Sequence, residues 1–260
     1  MAILLLKLVL TPALIGVASL GARRWGPMVG GWLVSLPLTS GPVALFLAID
    51  QGPAFGSAAA AASLAGCVAI AGFCVGYARM APRGIAPAVA GAAAGWGAGA
   101  LLADASLGLP PIAIAALVAA TWAIAMVLTP VDSGDQLSTP APRWELPLRM
   151  ATGAVVVVLI TGLAELLGPH VSGLLAMLPV IGTVLAVFAQ LRAGAGSATR
   201  VVRGILGGLL GTAAFLGVVS AALGPLGIAG AFAAAALAIA VTQTLTIWAL
   251  RARAAELASP

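Results

Sequence analysis

The chain has 260 residues, of which 62% are hydrophobic and 7% charged, and its mean hydropathy is +1.16. Soluble domains carry roughly a quarter charged residues, so this composition excludes a water-soluble globular protein. The net charge of +5 does not indicate a nucleic-acid partner, because the twelve Lys and Arg residues are dispersed between apolar segments. We therefore expect an all-α, multi-pass integral membrane protein of a bacterial inner membrane.

Hydropathy and turn-forming residues predict nine membrane spans. Residues 84–129 are too long for one crossing, and residues 104–111 place a charge and turn formers in their middle, so two spans are assigned there. The predicted spans are 2–20, 28–49, 57–78, 84–103, 108–129, 146–164, 170–190, 204–222 and 225–249.

The charges between these spans predict an orientation. Lys and Arg favour cytoplasmic loops, and an outside N-terminus places all eleven arginines on the cytoplasmic side of nine spans. The opposite side then receives Asp50, Asp104, Glu165 and His170. The sequence therefore predicts an N-terminus outside and a cytoplasmic C-terminus.

An internal repeat relates residues 4–52 to residues 146–194 without a gap. The identities include prolines and glycines more often than chance would give in a chain rich in Ala, Leu and Gly. Among them are Gly26/Gly168, Pro27/Pro169, Gly31/Gly173, Pro37/Pro179 and Gly52/Gly194. We expect repeat 1 over residues 1–130 with about five transmembrane helices, a cytoplasmic connecting loop over 131–145, and repeat 2 over 146–260 with about four.

Charges at matched loop positions have opposite signs. Arg23 aligns with Glu165, and Asp50 aligns with Arg192. Because basic residues favour the cytoplasmic face, opposite signs indicate that equivalent loops lie on opposite sides of the membrane. The pattern predicts two inverted-topology repeats, an architecture found in many secondary transporters.

The matched motif Gly-Pro-x-Val-x-Gly-x-Leu-x-x-Leu-Pro occurs at residues 26–37 and 168–179. Gly-Pro suits a helix start, whereas the second proline interrupts the helix near mid-bilayer. Interrupted helices at matching positions of two repeats point to a substrate site, although a packing kink satisfied by a neighbouring helix is the alternative. The predicted midplane residues are Ser35, Pro37, Thr39, Ser40, Pro179, Gly182 and Thr183.

Three further polar residues have two interpretations each. Lys7 and Arg149 occupy matched positions near the starts of spans one and six, where they contact an anionic solute or headgroup, or anchor the helices by snorkelling. Gln243 in span nine lines a pathway or bonds to a neighbouring helix.

Catalysis and metal binding have no support in the sequence. No Asp or Glu lies in the middle of a predicted span, so a proton relay is unsupported. No His, Cys, Asp or Glu cluster has the spacing of a metal or catalytic site. We expect no enzyme activity, no metal and no cofactor, and we leave open sodium coupling through carbonyls and hydroxyls beside uncoupled movement.

Two features of each half occur together: an early basic residue, Lys7 or Arg149, and a Gly-x5-Pro segment, at 31–37 or 173–179, before a long apolar run. In these features each half resembles the small four-helix bacterial membrane proteins of the GlpM type. The second half matches better, over residues 146–250, because the first has an extra helix. The resemblance implies a cell-envelope protein and names no substrate.

The predicted function is secondary transport. We expect a permease or exporter that moves a small solute or a lipid-linked anion by alternating access at a midplane site between the repeats. The alternative is a non-transporting membrane protein that assists cell-envelope assembly. The expected partners are membrane lipid and the substrate, and a homo-oligomer is left open.

Overall fold

The computed structural model describes residues 35–129 and 144–258, together with seven single positions before residue 35. Within these residues every element is a helix, which confirms the all-helical class. We number the helices in chain order: α1 (Ser40–Asp50), α2 (Pro53–Met80), α3 (Ile85–Ala105), α4 (Pro111–Leu128), α5 (Glu145–Gly162), α6 (Ala164–Leu175) and α7 (Val180–Ala258). Lys7, Gly26 and Pro27 lie outside the described residues, as does most of the predicted span 2–20.

The 79-residue α7 is not one rod. Its backbone leaves the helical region at Ala193 and Gly194 and again at Gly227. At 1.5 Å per residue a straight helix of that length would measure about 120 Å, several times the thickness of a bilayer core. We therefore treat it as three segments, α7a (180–192), α7b (195–226) and α7c (228–258).

Several helices are long and apolar enough to cross a membrane, which makes the chain compatible with a membrane protein. They are Pro53–Arg83, Ile85–Ala105, Pro111–Leu128 and the interrupted stretch Ala164–Thr246. The outer surface of α4 carries large apolar side chains, with Ile112 78% and Val127 84% exposed. Such a surface is costly in water and suits contact with lipid.

α2 is the central helix, and most of its length is buried. It runs antiparallel to α3, with Gly76 facing Gly91 and Gly72 facing Gly95. A Cβ atom added at any of these glycines would overlap with the partner helix, so the two backbones are in direct contact. Close approach through small residues is a common basis of helix packing in membranes.

Charged residues separate to the two ends of the bundle. Arg79 Nε donates to the carbonyl of Leu128 at 3.0 Å, and Arg203 Nη1 donates to Thr129 O at 2.6 Å, so both arginines lie where α4 ends. Asp50 precedes the start of α2, and Asp104 lies near the end of the antiparallel α3. We call these the basic end and the acidic end.

One predicted interruption is present, and two predicted boundaries need correction. The predicted span 170–190 is interrupted before Pro179, as its motif predicts, because the chain leaves the helix between Leu175 and Val180. Most of the predicted loop 191–203 is helical, since arginine is a good helix former and a drop in hydropathy does not itself end a helix. The next break falls at Gly227, whose φ of 65° favours glycine, and not between residues 222 and 225. The predicted division of 84–129 into two helices is confirmed.

Candidate functional site

Two prolines interrupt the helices in the middle of the bundle. We call residues 35–39 the first break and residues 176–179 the second break. Pro37 and Pro179 each follow a leucine, lack an N–H and disfavour the helical conformation of the residue before them. The chain therefore turns at each proline and starts a new helix, α1 after the first break and α7a after the second.

The backbone of the two breaks has the same hydrogen-bond pattern. Each bond of the first break has a counterpart between the equivalent residues of the second break, at the same shift that aligns the sequence repeat. The four pairs are Ser35 N to Trp32 O with Met177 N to Leu174 O, Leu36 N to Leu33 O with Leu178 N to Leu175 O, Leu38 N to Leu36 O with Val180 N to Leu178 O, and Gly41 N to Pro37 O with Thr183 N to Pro179 O.

The second break packs against the middle of α2. A Cβ atom at Gly66, which lies halfway along this 28-residue helix, would come within 2.9 Å of Met177 Cγ. The indole Nε1 of Trp96 on α3 donates to the carbonyl of Met177 at 3.2 Å. The break therefore lies midway between the two ends of the bundle, and one of its carbonyls has a side-chain partner.

The first break packs against the middle of α7b. The hydroxyl of Thr212 donates to the carbonyl of Ser35, and the hydroxyl of Ser35 donates to Trp32 O at 2.6 Å. Gly208 leaves no room for a Cβ atom, which would overlap with Ser35 Oγ. This contact repeats the contact of Gly66 with Met177. Ser35 aligns with Met177 in the sequence repeat, and Gly66 and Gly208 lie at the same shift beyond its end.

α2 and α7b run antiparallel to each other. Near the start of α2 the hydroxyl of Ser57 donates to Ser220 O, near the end of α7b, at 2.6 Å. Near the other end of α2, Tyr77 donates to Gln190 Oε1 at 2.9 Å, shortly before α7b begins. Each break therefore lies against the middle of the long helix that follows the other break.

A small cavity of about 70 Å³, partly open to the surroundings, lies between the two breaks. Five of the seven predicted midplane residues line it, and Pro37 and Thr183 do not. The hydroxyl of Thr183 donates to Pro179 O at 2.7 Å, within its own first helical turn. The lining residues are Ser35, Leu36, Leu38, Thr39, Ser40, Ile70, Ala176, Met177, Leu178, Pro179, Val180, Ile181, Gly182, Ile205, Leu209 and Thr212.

Four wall residues on the long helices were not predicted from the sequence. Ile70 comes from the middle of α2, and Ile205, Leu209 and Thr212 come from the middle of α7b. In the sequence these positions are ordinary residues of long apolar helices. Ile70 and Thr212 are related by the same shift as the repeat, which ends before them, but neither residue stands out in the sequence, so no local signal identifies these four residues.

The first turns of α1 and α7a bring unpaired backbone donors to the cavity. The N–H groups of Thr39, Ser40, Ile181 and Gly182 have no acceptor among the described residues. These four residues are two pairs at matched positions, and all four line the cavity. The first N–H groups of any helix lack an intrahelical partner, and here they meet at one site.

The hydroxyl of Ser40 also has no hydrogen-bond partner among the described residues, although the side chain is only 4% exposed. In contrast, the hydroxyls of Ser35 and Thr212 are both bonded to carbonyls. None of the cavity-lining residues is charged. The site is therefore an apolar cavity with a small group of uncharged hydrogen-bond donors.

The remaining predicted residues lie away from the cavity or outside the described part of the chain. Gln243 accepts from Trp32 Nε1 at 2.8 Å and donates to Gly208 O at 2.9 Å, which places it between helices and outside the cavity lining. This placement corresponds to a bond between helices, the second of its two predicted roles. The backbone of Arg149 lies in α5, and its side chain lies outside the described residues, as does Lys7.

The comparisons with known proteins gave no relative on which to base an assignment. No protein-family model, curated protein or solved structure matched this chain. The resemblance of each half to GlpM-type proteins stays a prediction, and the function has to be argued from the geometry of the cavity.

Proposed function

We propose that the protein is a secondary transporter of a small solute, a permease or exporter of a bacterial inner membrane, that works by alternating access between two inverted repeats. The observation that carries the proposal is the cavity between two matched helix breaks, halfway along the bundle. Substrate sites of inverted-repeat transporters lie at such a depth, between interrupted helices.

The positions of the backbone turns support a duplicated unit. α1 and α7a each lead to a glycine of positive φ, Gly52 at 91° and Gly194 at 77°. The next long helix is followed in each half by another such glycine, Gly84 in the first and Gly227 in the second. Left-handed backbone at corresponding places favours two copies of one ancestral fold.

The directions of the helices support the inversion. Asp50 lies at the acidic end, just before α2, whereas its counterpart Arg192 follows Gln190, which bonds near the basic end. α2 is about 42 Å long at 1.5 Å per residue, close to the full thickness of a bilayer with its headgroups. The placement of this one pair at opposite ends of the bundle is what inverted repeats would require, and it supports the proposal.

Different contacts close the two ends. At the basic end, Gln190 accepts from Tyr77 and donates to Ala81 O at 2.8 Å, which ties α7a to α2. At the acidic end, α1 and α2 meet where Ala48 packs against Gly56. Rocking about the breaks would separate one contact while the other holds, and this would expose the cavity to one face at a time.

Access from both faces is the property that tests the proposal. Cys67 and Cys74 are buried, so Cys67→Ala and Cys74→Ala provide a cysteine-free chain in which Leu178→Cys places one thiol at the cavity wall. We expect membrane-impermeant maleimide to label this thiol in both right-side-out and inverted vesicles. Ile124→Cys, on the outer surface of α4, is the control and should stay unlabelled because lipid covers it.

Labelling from a single face, or from neither, in vesicles that hold correctly folded protein would contradict alternating access. Correct folding is checked by a single symmetrical gel-filtration peak in detergent. Single-face labelling would favour the alternative of a non-transporting envelope protein.

A further inference from the structure

We infer that the cavity binds a small organic monoanion, with the negative group held by the starts of α1 and α7a and by Ser40, and the apolar part against Ile70 and Leu209. The inference names the class of substrate that the proposed transporter would carry, and in this respect it rests on the proposed function. Binding itself is a separate property and is tested separately.

The first argument is electrostatic. A helix carries a partial charge of about +0.5 at its N-terminus, where its unpaired N–H groups point outward. α1 and α7a are antiparallel in the bundle, and both begin at the cavity wall. Two such ends sum to about one positive charge, which compensates a single negative charge and not two.

The second argument concerns the side chain of Ser40. It lines the cavity, is 4% exposed and has no hydrogen-bond partner among the described residues. Its Oγ atom is accessible and not enclosed by protein, so the hydroxyl is free to bond a ligand in the cavity. A hydroxyl beside two unpaired N–H groups, those of Thr39 and Ser40 itself, is a donor suited to an anionic oxygen.

The third argument is the kind of group that lines the cavity. Four carbonyls at the two breaks already accept hydrogen bonds: Ser35 O from Thr212, Met177 O from Trp96, and Pro37 O and Pro179 O from the helix that each precedes. The carbonyls of Leu38 and Ala176 accept none from the described residues, and no carboxylate lines the cavity. Two free carbonyls are too few to replace the hydration shell of a cation, which takes about six oxygen ligands, whereas the unpaired N–H groups favour an anion.

The apolar walls of the cavity further limit the class of anion that it can bind. Four large apolar side chains are among the lining residues: Ile70, Met177, Ile205 and Leu209. An inorganic anion would lose hydration there and gain no contacts, whereas a short hydrocarbon group would be removed from water at about 25 cal/mol per Å². The site therefore fits a monocarboxylate or a comparable monoanion with a small apolar body.

The test compares two probes of the same shape. The purified full-length protein in lipid nanodiscs is titrated with radiolabelled isobutyrate and with isobutyramide, its neutral isostere, and chloride is tested as a competitor. We expect saturable binding of isobutyrate, at least tenfold weaker binding of isobutyramide, and little competition by chloride. Equal affinity for the acid and the amide, or no saturable binding of either, would overturn the inference.

A pair of serine variants locates the site. Ser40→Ala should weaken isobutyrate binding about tenfold, since a hydrogen bond to a charged group is lost. Ser57→Ala is the matched control, because its hydroxyl bonds to Ser220 O away from the cavity, and it should leave the affinity unchanged. Parent-like affinity in Ser40→Ala would overturn the placement of the anion.

The result of the binding test can be distinguished from the result of the labelling test of the proposed function. Two-face labelling of Leu178→Cys without isobutyrate binding would overturn the substrate class and leave alternating access standing. Isobutyrate binding with single-face labelling would uphold the anion site and overturn transport.

Discussion

The first and second breaks have the same backbone hydrogen-bond pattern but make different contacts with the neighbouring helices. In the first, the carbonyl of Ser35 accepts from Thr212, and the chain lies so close to Gly208 that no side chain fits between them. In the second, the carbonyl of Met177 accepts from Trp96, and its flexible thioether side chain fills the space over Gly66. Both have the same hydrogen-bond pattern around the proline.

This difference shows that the turn at each break and the contacts that hold the turn in place have different causes. The turn follows from proline and its neighbours, so it is the same in both halves. The contacts depend on which side chains of neighbouring helices face the break, Thr212 of α7b at the first and Trp96 of α3 at the second. Because an unbranched thioether adapts to changed surroundings, we expect the second break to tolerate alteration better than the first.

The largest effect is expected from Gly208→Ala. The added Cβ would overlap with Ser35 Oγ, and rotation of that hydroxyl would still leave Ser35 Cβ at 2.9 Å and Trp32 O at 3.1 Å, so we expect the free energy of unfolding to fall by about 3 kcal/mol. Unfolding in mixed micelles of dodecyl maltoside and SDS measures this. Gly207→Ala is the matched control: nothing lies within 4 Å of its Cβ, and its stability should stay equal or rise by up to about 1 kcal/mol. Equal losses at the two neighbours would refute the close contact.

A smaller effect is expected from Gly66→Ala, the counterpart of Gly208→Ala. Here the Cβ would meet Met177 Cγ at 2.9 Å, and the side chain can move aside, so we expect a loss of about 1 kcal/mol. In a Met177→Ala background the same change should cost less, since Met177 Cγ is gone and only the Cβ of residue 177, at 3.1 Å, remains close. A double-mutant cycle without coupling between the two positions would show that they do not touch.

The sequence predicted the two turns well because prolines and glycines act on their own neighbourhood. Pro37 and Pro179 were expected to interrupt their helices, and five of the seven predicted midplane residues line the cavity. Such residues constrain φ or remove a donor wherever they stand, so their effect can be predicted without knowledge of the fold.

The remaining features depend on contacts between distant residues. Ile70 and Leu209 line the cavity because the long helices pack across the breaks. No local sequence pattern predicts this packing. Thr183 was expected in the site, but its hydroxyl bonds within its own helix, a common alternative for threonine. The helical course of 195–203 was missed because hydropathy reports the membrane-length segment and not the end of the helix.

The central claim is that the halves are inverted, so that equivalent positions lie on opposite faces of the membrane. Gln51 and Ala193 are equivalent in the repeat and directly follow α1 and α7a, and neither is charged, so Gln51→Cys and Ala193→Cys leave the topology signals intact. Impermeant maleimide applied to sealed, right-side-out vesicles of the cysteine-free chain should label one of these thiols, and inverted vesicles should label the other. Labelling of both thiols from the same face would contradict the inversion and, with it, the meeting of two equivalent breaks at one cavity.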